Sequence, residues 1–166
     1  MRPIAVLLLI AALLGGCGLR PLYGGGESSS VAQLLRSVAV QPIGGGQTGW
    51  LVRTALVDRL GQAEGSARYR LEVELDDDLT GFGIRGDSAV TRERRTLRAR
   101  YRLVDAATGS VLLDATAGSD AGVDVVGSEY ATVAAEQTAV ERLSQIVADQ
   151  IVARLGLYAA RGGTAP

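Results

Sequence analysis

Histidine and lysine are both missing from this 166-residue chain, and cysteine, tryptophan and phenylalanine occur once each. Without imidazole there is no histidine-based catalytic triad, no histidine metal ligand and no histidine acid–base group. The lone cysteine has no histidine to activate it as a nucleophile and no companions to complete a zinc site. All 17 cations are therefore arginines. They stand against 18 carboxylates for a net charge of −1, so no basic excess marks a nucleic-acid-binding surface. Aromatic residues make up 4% of the chain, which leaves the core to small and medium aliphatic side chains. Carboxylate chemistry is what remains for catalysis. Asp76 and Asp78 are the residues a hydrolase would use, but paired carboxylates occur in any charged domain, and the sequence reads as non-enzymatic. The run Asp76-Asp77-Asp78 lacks the spacing of a calcium loop, and Gly44-Gly45-Gly46 lacks the Lys-Ser/Thr of a phosphate loop. No metal and no cofactor is expected.

Long hydrophobic runs are scarce as well. The longest, Ile4 to Leu14 (IAVLLLIAALL), falls well short of the roughly 20 apolar residues needed to cross a bilayer. Behind Met1-Arg2-Pro3 it has the positive start and apolar middle of a secretory signal. It ends in Leu14-Gly15-Gly16-Cys17, which resembles the lipobox of bacterial lipoproteins. In that arrangement the small residues admit a peptidase, and Cys17 becomes a new amino terminus carrying a diacylglycerol. Each buried methylene contributes about 0.8 kcal/mol, and two or more chains anchor stably. Gly18 stands where an Asp would hold many lipoproteins at the inner membrane, so the resemblance implies the periplasmic face of the outer membrane.

The organisation expected is a cleaved signal over 1–16, a lipidated N-terminus and flexible tether over 17–36, one domain over 37–158 and a frayed tail over 159–166. Ser37 to Ile43 reads as a first strand, with Pro42 marking its end or an edge position. Apolar positions at Leu51, Val52, Ala55, Leu56 and Leu60 make a helix from Thr48, a candidate N-cap, to a stop at Gly61. Arg68 to Asp76 alternates strictly, with Tyr69, Leu71, Val73 and Leu75 on one face. Ala89 to Val104 repeats the pattern with Leu97, Ala99, Tyr101 and Leu103, and Val111 to Ala117 returns after the turn at 105–110. From Ser128 to Tyr158, Val133, Val140, Leu143, Val147, Ile151 and Leu155 mark one long amphipathic helix. The order β-α-β-β-β-α predicts an α+β two-layer sandwich, a four-stranded, mainly antiparallel sheet with two helices on one face.

With that order in place, several stretches resemble the lipopolysaccharide-assembly lipoprotein family, LptE: CGLRPLYG at Cys17 to Gly24, SVAVQPI at Ser37 to Ile43, YRLVDAATGSVLL at Tyr101 to Leu113 and SEYATVAAE at Ser128 to Glu136. The resemblance implies a sheet with two helices packed on it and a partner, the β-barrel protein LptD. Such lipoproteins sit largely inside the barrel as a plug, assist its assembly and contact lipopolysaccharide on its way to the cell surface. Another periplasmic lipoprotein adaptor, a cell-wall synthase activator or a lipid-transporter subunit, is the alternative.

Two surfaces are candidates for contact. One is the arginine row of the third strand. If the hairpin turns over 77–88, Glu72 and Glu74 fall near Arg92 and Arg94. Arg98, Arg100 and Arg102 then run beyond the acids, with Asp114 alone near them on the fourth strand, free to pair with phosphates or carboxylates. The other is the connection from Leu79 to Asp87, made pliable by Gly81, Gly83 and Gly86. There Phe82 and Ile84 are candidates to meet acyl chains or barrel wall, and Arg85 a phosphate.

Overall fold

The computed structural model describes residues 30–61, 63, 67–84, 90–125 and 128–162, with the backbone alone at 30, 82–84, 90 and 91. Cys17 and Arg85 lie outside the described residues, and so do the side chains of Phe82 and Ile84. The elements run α1 (Ser30–Arg36), β1 (Val38–Val40), α2 (Gly46–Leu60), β2 (Tyr69–Ile84), β3 (Val90–Asp105), β4 (Val111–Asp124) and α3 (Glu129–Ala160). The four strands form one sheet in the order β1-β2-β3-β4. This is the expected α+β architecture, with three helices among the described residues and a sheet that is mixed: β1 pairs parallel with β2, and the other two pairs are antiparallel. The parallel pair follows from chain direction, because α2 carries the chain back to the start of the sheet before β2 begins. α1 occupies residues expected to be tether and buries Val31 and Leu35.

Alternation sets the register. Leu71, Val73 and Leu75 lie opposite Leu103, Tyr101 and Ala99, and these oppose Leu113, Ala115 and Ala117 on β4. Against this face α3 packs Val140, Leu143, Val147, Ile151 and Leu155, and α2 packs Val52, Ala55, Leu56 and Leu60, all nearly inaccessible to water. The valine, leucine and isoleucine side chains among these contribute about 1.5–3 kcal/mol each when fully buried. The two helices are tied at the surface by Arg59, whose Nε reaches Asp149 at 2.6 Å and whose Nη2 reaches Gln145 at 2.8 Å.

The helix starts differ from expectation. α2 begins at Gly46, preceded by Gly45 at φ 98°, a left-handed conformation that suits glycine. Thr48 therefore lies inside the first turn, where it is buried instead of capping. Ser128 does precede α3, but its carbonyl, not its hydroxyl, serves the helix by accepting from the Thr132 N–H at 3.1 Å.

Element lengths decide what is covered. β2 and β3, at 16 residues each, extend about 53 Å, and α3, at 32 residues, about 48 Å. With 15 residues α2 reaches only about 22 Å. The near half of the sheet thus lies under both helices and the far half under α3 alone.

Candidate functional site

The sheet face turned away from the helices is a ladder of opposite charges. β3 contributes Arg92, Arg94, Arg98, Arg100 and Arg102 by simple alternation. β2 sets Glu72 opposite Arg102, Glu74 opposite Arg100 and Asp76 opposite Arg98. This register corrects the expected one, in which Glu72 and Glu74 neighbour Arg92 and Arg94. The strands do not stop near residue 77: Leu79 to Ile84 continue β2, with Phe82 opposite Arg92 and Ile84 opposite Val90. Lengthening the hairpin carries the acids to the opposite end of the arginine row. β4 also runs on to Asp124, adding Asp120 and Asp124 to Asp114.

Consequently the arginines do not form a free cationic stripe. Arg100 holds Asp114 through two bonds, Nε to Oδ1 at 3.1 Å and Nη2 to Oδ2 at 2.8 Å. Those bonds keep the Asp114 carboxyl below the usual carboxylate range. Arg102 Nη2 lies 3.2 Å from Glu72 and 3.6 Å from Glu74, and Arg92 Nε lies 2.9 Å from Asp124. Arg98 behaves differently. Its side chain crosses Gly118 on β4, where a Cβ would come within 2.6 Å of Arg98 Cδ, and its Nη1 donates to the Ser119 carbonyl at 3.4 Å. It lines a polar hollow of about 480 Å³ with Gly118, Asp120 and Gln150. Of the three arginines singled out in the sequence, Arg98 is the one whose guanidinium opens on a hollow instead of closing on a carboxylate.

On the helix-covered face the polar residues begin level with the first turn of α2. Asp77 accepts from Thr48 Oγ1 at 2.7 Å and from Arg95 Nε and Nη2 at 2.9 and 2.7 Å. The Asp77 and Arg95 side chains retain 20% exposure each, and the Arg95 bond leads in holding the Asp77 carboxyl below its ordinary range. Farther out, Glu93 meets Glu136 of α3. Burial first, then the neighbouring carboxylate, raise the Glu93 pKa, and its Oε2 is enclosed without a hydrogen-bond partner. Leu79, Val133 and Tyr130, at the same far end, are exposed. Glu93 and Arg95 were not singled out in the sequence, and Thr48 and Asp77 figured there only as a candidate helix cap and as part of an acidic run. Counting back by twos from buried Leu97 places Arg95 and Glu93 on the inner face, so that signal was present; Glu136 and Gln150 had none.

Among the described residues no group of three or more potential metal ligands converges, and no helix is long and apolar enough to cross a membrane. What the geometry defines is a long two-layer domain with one face helical and the other a balanced polar sheet. The solved structures that share it include a protein of Caulobacter crescentus CB15 described as a lipoprotein, 25% identical, with a TM-score of 0.65 over 82% of this chain and 100% of that one. Rare lipoprotein B from Shewanella oneidensis matches at 11% identity and TM-score 0.54, covering 75% of this chain and 96% of the other. Lipoprotein B from Nitrosomonas europaea matches at 12% and 0.57, covering 75% and 84%. No match is found among the curated proteins.

The fold is therefore the small α+β domain that these lipoproteins share. Residues 35–155 match the lipopolysaccharide-assembly family LptE, and the chain belongs to that family.

Proposed function

We propose that this protein is an outer-membrane lipoprotein, held at the periplasmic face by acyl chains on Cys17, that pairs with a β-barrel of the LptD type. It acts there as a plug and assembly factor for lipopolysaccharide insertion, without catalysis of its own. The observation that carries this reading is the family match over 35–155, which takes in β1, α2, all three long strands and most of α3. The sheet face supports it, because opposite charges in register present a polar wall suited to a hydrated barrel interior.

Within that reading Arg98, aimed into its hollow, is the best-placed group to meet a lipopolysaccharide phosphate. A contact at Arg100 or Arg102 has to displace Asp114 or Glu72. The backbone of Phe82 and Ile84 falls at the hairpin end; these two are proposed to meet acyl chains or barrel wall, and Arg85, outside the described residues, a phosphate. Affinity purification of the tagged chain from solubilised outer membranes tests the pairing. Recovery of a large β-barrel supports it; recovery of an inner-membrane complex reassigns the chain to another lipoprotein adaptor. Cys17→Ser should leave the domain folded and release it from the membrane fraction.

A further inference from the structure

The sheet has two edges, and they are not alike. β4 forms one. Gln150 of α3 closes it at Gly118, its Oε1 accepting the Gly118 N–H at 2.9 Å and its Nε2 donating to the Gly118 carbonyl at 3.3 Å. Along the rest, Asp114 and Asp124 are tied to Arg100 and Arg92 of β3. A side-chain amide that satisfies edge backbone groups covers them against a foreign strand.

β1 forms the other edge, and among the described residues no side chain brackets its outward backbone groups. The Tyr69 N–H donates to the Ser37 carbonyl at 3.1 Å and the Gln41 N–H to the Leu71 carbonyl at 3.0 Å. Residues 37, 39 and 41 therefore turn their backbone groups toward β2, and Val38 and Val40 turn theirs to the open side. Next on that side comes Pro42, which has no N–H to offer and limits the edge to one short stretch. Beside it lies a cavity of about 350 Å³ walled by Ala39, Val40, Val57, Gly61, Ala63 and Ala67. Small residues there let another backbone come close. Arg53 of α2 stands on the rim, and among the described residues no carboxylate lies within ion-pair distance of it.

We propose that β1 is a strand-addition site: an extended, carboxylate-bearing segment of the β-barrel partner pairs with the open backbone groups of Val38 and Val40 and sets its acid against Arg53. Main-chain hydrogen bonds supply the affinity, and the cavity and the guanidinium supply the selectivity. On β4 the Gly118 backbone groups are already taken by Gln150, so the open backbone groups are those of β1. The proposal rests on the barrel-partner reading above and adds the surface used.

The test places a photo-cross-linking residue at Val57, on the cavity wall, and at Thr116 on β4 as a control, in the full-length chain made by cells that also make the barrel. A Val57 adduct with the barrel, mapping to an extended stretch that contains Asp or Glu, is expected, with little at Thr116. Arg53→Glu should lower its yield about tenfold, as the loss of one charge-assisted contact implies. Val40→Pro removes an outward N–H that β2 does not use and should lower the yield similarly; Arg53→Glu leaves the ladder intact and stands alone if the proline variant fails to fold. Barrel co-purifying without a Val57 adduct, or an adduct at full yield in Arg53→Glu, overturns the strand-addition site and leaves the pairing standing. Adducts between two copies of this chain also overturn it. Failure to recover any barrel overturns both.

Discussion

Asp77→Ala is the substitution that best separates a structural ion pair from the surface ladder it resembles in sequence. Asp77 receives two bonds from Arg95 and one from Thr48, and Thr48 is only 6% exposed. The substitution strands a guanidinium at 20% exposure and leaves a buried hydroxyl without its acceptor. A hydrogen bond to a charged group contributes about 1.5–3 kcal/mol, and breaking a fully buried pair costs about 3–5 kcal/mol, so the expected loss is about 2–3 kcal/mol. Asp124→Ala is the control. It breaks an arginine pair at similar distance but with side chains 64% and 73% exposed, and should cost about 0–1 kcal/mol. Urea unfolding of the Cys17→Ser protein at pH 7 measures both, and Thr48→Val with the double variant isolates the hydroxyl. The folded-state pKa of Asp77 is depressed. Its stabilisation is therefore present above the unfolded carboxylate value of about 3.9 and disappears as pH falls through the lower folded value. The gap between wild type and Asp77→Ala should close on strong acidification. Equal costs for Asp77→Ala and Asp124→Ala at pH 7 would refute the claim that α2 is pinned to the sheet at this point.

Other substitutions probe the neighbouring geometry. Gly118→Ala forces a methyl group against Arg98 and the Leu97 carbonyl and should cost about 1–3 kcal/mol by denaturant midpoint, with Arg98 displaced from the β4 hollow. Gly49→Ala sets a methyl group against the carbonyl oxygens of Ile43 and Gly44, which are backbone and cannot swing away; a loss of at least about 1 kcal/mol is expected, and wild-type stability would contradict the packing. Glu93→Gln tests the carboxyl pair. Because the folded pKa is raised, the contact is most favourable below the unfolded value of about 4.3 and weakens as pH rises through the folded one. The variant should therefore be more stable than wild type at pH 7, with the difference shrinking toward pH 4.

Periodicity revealed the near half of the molecule because both layers are present there. Tyr69 to Leu75 and Leu97 to Leu103 must alternate where α2 and α3 cover one face and water wets the other. Beyond the first turn of α2 the same ladders continue with Asp77, Glu93 and Arg95 on the inner face, so the apolar rhythm stops while the hydrogen bonding does not. Glycines at 81, 83, 118 and 122 look like interruptions, yet each lies within a strand. That is why the sequence places the hairpin turn too early and leaves Arg98, Arg100 and Arg102 without their acids. α1 is too short to show a helical period. The bracket of Gln150 on Gly118 joins residues 32 apart through the packing of a helix on an edge strand, and no local pattern encodes it.

Depletion of this chain in growing cells, with newly made lipopolysaccharide followed to the cell surface by labelling intact cells, tests the central claim most directly. A partner of the barrel in lipopolysaccharide assembly predicts that surface lipopolysaccharide stops increasing while the newly made material accumulates behind the outer membrane. Delivery at an unchanged rate after the protein has gone would contradict it.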